Sequence, residues 1–122
     1  MPHIVTRHHS DQLWYWYSIG PSGEELMRSN VGRRARARVD MELRILKLLA
    51  AKPGSIIIDV SQSLRVGDWR SHLSVVGEDE YEASSTVWYM QRSDAEAVGD
   101  MTVAALSQAA GHVRRRSRLR HV

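Results

Sequence analysis

Two stretches of this chain can be laid over two later ones. GEELMRSNV (23–31) and GEDEYEASSTV (77–87) are both a turn and a strand leading into a helix. VDMELRILKLLAAK (39–52) can be set against GDMTVAALSQAAGH (99–112), matching Asp-Met, a Leu and an Ala. Each half then reads as strand, hairpin, helix. Two such βββα halves predict an α+β domain in two layers: a mostly antiparallel sheet of about 5–6 strands with two helices on one face. A chain of 122 residues fits one such domain.

The local chemistry agrees. Residues 3–7 (HIVTR), 12–18 (QLWYWYS) and 24–30 (EELMRSN) read as strands, with Gly20-Pro21-Ser22-Gly23 supplying turn residues between the last two. Asn30 is the expected N-cap of a helix over about 33–52, which Lys52-Pro53-Gly54 ends. Ala35, Val39, Leu43, Leu46 and Leu49/Ala50 form one apolar face at helical spacing. Met41, Ile45 and Leu48 widen it, so the helix is either clamped between two layers or meets a partner.

In the second half, SIIIDV (55–60) reads as a buried strand, WRSHLSVV (69–76) as an alternating one and YEASSTVWYM (81–90) as a third. Arg65-Val66-Gly67-Asp68 and the acidic Gly77-Glu78-Asp79-Glu80 are the turns between them. Ser93-Asp94-Ala95-Glu96 has the spacing of a capping box. The helix that follows buries Ala95, Val98, Thr102, Ala105, Leu106 and Ala109, and is expected to stop at Gly111. From residue 33 on, the order α-β-β-β-α is similar to that of double-stranded RNA-binding domains. Arg92-Ser93-Asp94-Ala95-Glu96 stand where that family has lysines, so the likeness is one of topology.

Four consecutive aromatics, Trp14-Tyr15-Trp16-Tyr17, must alternate between the faces of a strand. A phenol tolerates water better than an indole, so Trp14 and Trp16 are assigned to the core. Tyr15 and Tyr17 are then expected on the open face, as a stacking platform or an interface anchor.

Charge placement gives the other binding residues. The formal net charge is +3, yet residues 113–122 alone hold Arg114, Arg115, Arg116, Arg118 and Arg120. Without them, 12 Lys/Arg face 14 Asp/Glu in residues 1–112, a net of −2. The domain is therefore read as 1–112, followed by a basic tail. A second basic run covers Arg33, Arg34, Arg36 and Arg38. Arg33, Arg36, Arg44 and Lys47 fall on one stripe of the first helix, interrupted by Asp40, and could track a phosphate backbone. Arg33 and Arg34 stand at a helix N-terminus, where the dipole disfavours cations. Arg38 is expected to pair with Glu42 at i+4.

Chemistry-bearing motifs are thin. The absence of cysteine excludes disulfides, thiolate metal sites and a Cys nucleophile, and it fits a reducing, cytoplasmic setting. No stretch has the length and apolarity of a signal peptide or membrane span. His3 with His8-His9-Ser10-Asp11 lacks the helical pair that a metal site needs. Asp59 and His72 have no recognisable catalytic companions, and no glycine loop cradles a phosphate. The expectation is a non-enzymatic protein without cofactor that engages nucleic acid or a nucleoprotein complex. The alternatives are a protein-binding inhibitor or adaptor, of the kind phages and mobile elements turn on host defence complexes, with homodimerisation covering the wide apolar helix, and a small nuclease or toxin.

Overall fold

The computed structural model describes residues 1–121, with side chains through residue 108. The elements are β1 (His3–His8), β2 (Trp14–Ile19), β3 (Glu25–Ser29), α1 (Arg36–Ala50), β4 (Ile56–Gln62), β5 (Trp69–Val75), β6 (Glu78–Ser85) and α2 (Arg92–His121). The βββα unit thus occurs twice. One antiparallel sheet takes all six strands in the order β1-β2-β3-β6-β5-β4. At its centre Arg28 faces Ser84, Met27 faces Ser85 and Ser29 faces Ala83, so an approximate two-fold axis passes between Arg28 and Ser84. The α-β-β-β-α segment therefore does not stand as a domain: its sheet is half of a larger one.

Each unit closes on its own connector in the same way. Trp14 and Arg33 exchange backbone hydrogen bonds of 2.7 and 2.9 Å, and Trp69 and Tyr89 exchange bonds of 2.6 and 2.7 Å. A guanidinium from the first residue of each helix then covers the tryptophan, Arg36 over Trp14 and Arg92 over Trp69. The equivalence sets Asp40-Met41 level with Glu96-Ala97, one turn before Asp100-Met101. The Asp-Met match in the sequence was thus one helical turn out of register.

Both helices cover one sheet face. Trp16, Met27, Leu73, Val75 and Ala83 from the strands pack against Val39, Leu43, Leu46, Val98 and Leu106 from the helices. Gly99 allows α2 close to the sheet: a Cβ there would lie 2.3 Å from Ile58 Cγ2 and 2.8 Å from Ser71 Oγ. Met41 and Leu48 are 54% and 62% exposed, so α1 is not clamped between two layers.

Several local expectations are corrected. Asn30 is not the helix cap; α1 begins six residues later behind Ala35, which makes no side-chain cap bond. Asn30 instead accepts from Ser84 Oγ at 2.9 Å. The run Ile56-Ile57-Ile58 is not a buried strand. It belongs to the sheet edge, where Ile56 and Ile58 reach the core and Ile57 is 47% exposed. An apolar run looks the same in sequence on an edge as in a centre. The acids Glu78, Asp79 and Glu80 lie on β6, because Val75 already pairs with Glu78 and Gly77 turns at φ +81°. The capping box does not form: Ser93 lies inside α2, and Glu96 pairs with Arg92 at 2.9 Å. The assignment of α2 also continues past Gly111.

Candidate nucleic-acid interface

The sequence brought an aromatic pair and an arginine stripe to one function, but the fold puts them on opposite sides. Tyr15 and Tyr17 do point away from the helices, as the alternation requires. They are nonetheless only 8% and 5% exposed and form a small second core with Ile19, Val5 and Leu13. The expected accessible platform is therefore absent. The loop after β1 folds over Tyr15, whose hydroxyl donates to Asp11 at 2.6 Å, and the His9 ring meets Tyr15 edge-on. Gly32 comes so close that a Cβ would lie 2.7 Å from the phenol. Arg28 and Arg7 lie over the rings of Tyr15 and Tyr17, 4.6 and 5.2 Å from their centroids. The bond to Asp11 and burial together raise the Tyr15 pKa, and the same bond lowers that of Asp11. On the other face Trp16 is fully buried and Trp14 half-buried, between His8 and Arg36.

Arg33 also leaves the expected site. It precedes α1 and turns inward to Glu42, with Nε at 3.2 Å and Nη2 at 3.0 Å from Oε1. The other carboxylate oxygen accepts from the Trp16 indole at 2.8 Å. Glu42 is 3% exposed, and burial raises its pKa in spite of both donors. Arg38, assigned from the sequence to Glu42, has lost that partner to Arg33. It lines a hollow of about 90 Å³ with Met41, Glu80 and Tyr81.

What remains is a cationic helix face. Arg34 stands just before α1, Arg36, Arg44 and Lys47 lie on one stripe of it, and Arg38 lies on its other flank; the four arginines are exposed and Lys47 is half-buried. None of the five is in an ion pair with a described residue. Asp40 is the acid among them. From Arg36 to Lys47 the helix rises about 16 Å, a span that covers several phosphates. The first turn of α1 holds no acid and no side-chain cap; Arg38 N donates to Ala35 O at 3.1 Å, and the N–H groups of Arg36 and Ala37 have no described acceptor.

The second unit serves as an internal comparison. At the positions of Arg38 and Asp40, α2 carries Asp94 and Glu96, and Glu96 neutralises Arg92. The cationic character thus belongs to α1 and is not a property of the repeated architecture. Arg114, Arg115, Arg116, Arg118 and Arg120 fall on the assigned span of α2 but lie outside the residues whose side chains are described. Sequence reasoning also passed over Arg28 and Arg70, on the open sheet face. Strand alternation carried the signal for Arg28, which sits directly across from Tyr17.

Among the described residues, no group of three or more His, Cys, Asp or Glu is placed to hold a metal ion. No described helix is long and apolar enough to cross a membrane.

The chain matches no protein-family model and no curated protein. Its fold is similar to the solution NMR structure of yegP, an E. coli protein of unknown function. The TM-score is 0.66 at 10% identity, covering 87% of this chain and 86% of that one.

Proposed function

We propose that this protein is a non-enzymatic nucleic-acid-binding protein of the cytoplasm, which meets the phosphate backbone with the solvent face of α1. The observation that carries the reading is the contrast between the two units. Arg34, Arg36, Arg38, Arg44 and Lys47 are outside every ion pair with a described residue, whereas the equivalent start of α2 holds Asp94 and a paired Arg92. Surface cations without acidic partners gain most from displacing the counterions that surround a polyanion. Arginine adds a planar fork that takes two phosphate oxygens at once.

Contacts of this kind fix no base sequence, so binding to generic RNA and DNA is the expected behaviour, or to a nucleoprotein complex that presents the same backbone. The test is fluorescence anisotropy with labelled RNA and DNA, titrated with salt. Log affinity that falls linearly with log salt supports the reading. Absence of binding even at low salt removes it.

The second reading, a protein partner or homodimer, rests on Met41 and Leu48, exposed along the same helix. Light scattering separates the two: a concentration-dependent mass that Met41→Lys abolishes favours the protein surface.

A further inference from the structure

The open face of the sheet carries a separate feature. A groove of about 240 Å³ runs across its centre, lined by His9, Tyr17, Arg28, Arg70, Ser84 and Thr86. We propose that this groove is a binding site for a phosphate-class oxyanion: the phosphomonoester of a small molecule, or phosphate itself.

The cations come first. Arg28 is half-buried on β3 and donates to no described residue. The Tyr15 ring lies 4.6 Å from its Cζ. Arg70 is half-buried on β5, 5.5 Å over the Trp88 ring. Its Nε donates to Ser85 O at 3.0 Å, which leaves both terminal nitrogens without a described acceptor. Neither guanidinium is within ion-pair distance of a described carboxylate. Half-burying a guanidinium costs free energy unless a counter-charge offsets it. Here the protein supplies two ring faces, one carbonyl and, beyond ion-pair distance of Arg28, the Asp11 carboxylate, which is itself hydrogen-bonded to Tyr15. Glu25 is the carboxylate at the groove, and it is held by Arg7 at 3.2 Å.

The donors are also preorganised. Stacking on a ring fixes the plane of each fork, so little side-chain entropy remains to be lost on binding. The Thr86 hydroxyl bonds no described residue and adds a neutral donor. The Ser84 hydroxyl is committed to Asn30, at 2.9 Å, with His72 Nδ1 at 3.2 Å on its other side. Two guanidiniums and a hydroxyl suit a ligand with three or more acceptor oxygens and up to two charges. A carboxylate offers two oxygens and one charge.

The groove lies across the sheet from α1, so this inference stands or falls independently of nucleic-acid binding. The experiment is a ¹H–¹⁵N titration of the full chain with inorganic phosphate, glycerol 3-phosphate and acetate. Saturable shifts at Arg28, Arg70 and Thr86 are expected with phosphate, with acetate at least about tenfold weaker. Tighter binding of glycerol 3-phosphate identifies a phosphomonoester site, and equal or weaker binding a site for the free ion. Arg28→Gln with Arg70→Gln should abolish the shifts, and Arg36→Gln with Arg44→Gln should keep them. Arg70→Lys, which retains the charge and loses the fork, should weaken binding about tenfold, and it serves if the double variant does not fold. Shifts that fail to saturate, that acetate reproduces at equal concentration, or that survive loss of both arginines overturn the proposal.

Discussion

The indole nitrogen of Trp16 donates to the Glu42 carboxylate at 2.8 Å, which ties β2 to α1 through the middle of the core. Arg33 closes on the second oxygen of the same carboxylate. One buried acid thus holds a strand, a helix and the connector between β3 and α1. Removing the acid leaves an indole N–H and a guanidinium without their partner. Glu42→Ala should cost about 3–5 kcal/mol, read from the urea midpoint at constant m-value.

The same contact sets a pH dependence. Burial raises the Glu42 pKa above its ordinary 4.5, so between 4.5 and the raised value the folded chain binds more protons than the unfolded one. Stability from this group is then greatest below 4.5 and is lost as pH rises through the folded pKa. In Glu42→Gln, denaturation across that window should lose this downward slope with rising pH. An unchanged slope would assign it to another group.

Arg33 and Arg36 stand three residues apart with opposite roles. Arg33→Gln should lower stability by about 1–3 kcal/mol, because it leaves a buried carboxylate short of its counter-charge, and should leave nucleic-acid affinity nearly unchanged. Arg36→Gln with Arg44→Gln and Lys47→Gln should leave the urea midpoint nearly in place. It should flatten the plot of log affinity against log salt by about 0.9 per lost duplex phosphate contact. Binding that tracks Arg33 instead would move the interface off α1.

Gly99 and Ser71 meet where α2 crosses β5. Gly99→Ala improves helix propensity, yet its methyl would press on Ile58 and Ser71 Oγ. The overpacking should prevail, with a net loss of about 1–3 kcal/mol. Ser71 Oγ is buried without a hydrogen-bond partner among the described residues. Ser71→Ala should therefore be neutral or stabilise by about 1 kcal/mol, and should reduce the damage of Gly99→Ala in the double variant. Thermal denaturation of the four proteins in the cycle measures both effects.

Tyr15 holds the loop after β1 through Asp11, and its hydrogen bond is the largest cause of the low Asp11 pKa. An acid with a lowered folded pKa contributes stability above its ordinary 3.8 that disappears as pH falls through the folded value. A carboxyl-detected NMR titration should find Asp11 below 3.8 in the native chain and closer to it in Tyr15→Phe. An identical midpoint in both would mean that the phenol does not hold the carboxylate.

The sequence by itself determined the βββα order used twice, the two-layer architecture and most of the core face of each helix; Ala35 is exposed ahead of α1, and Ala109 lies outside the residues whose side chains are described. These follow from periods of two and 3.6 residues, which are local. It also determined that Trp14 and Trp16 point one way and Tyr15 and Tyr17 the other, since alternation is a property of the strand itself. Tertiary structure decided what covers them. Tyr15 and Tyr17 were expected to be open; Asp11, Arg28 and Gly32 close on Tyr15 and Arg7 lies over Tyr17, contacts that no local pattern encodes. It likewise decided the partner of Glu42, where the i+4 neighbour Arg38 lost to Arg33 from the preceding connector, and made the Ile56–Ile58 run an edge. A free cation on α1 and a paired one before it look alike in sequence. They differ only in whether the fold brings a carboxylate within reach.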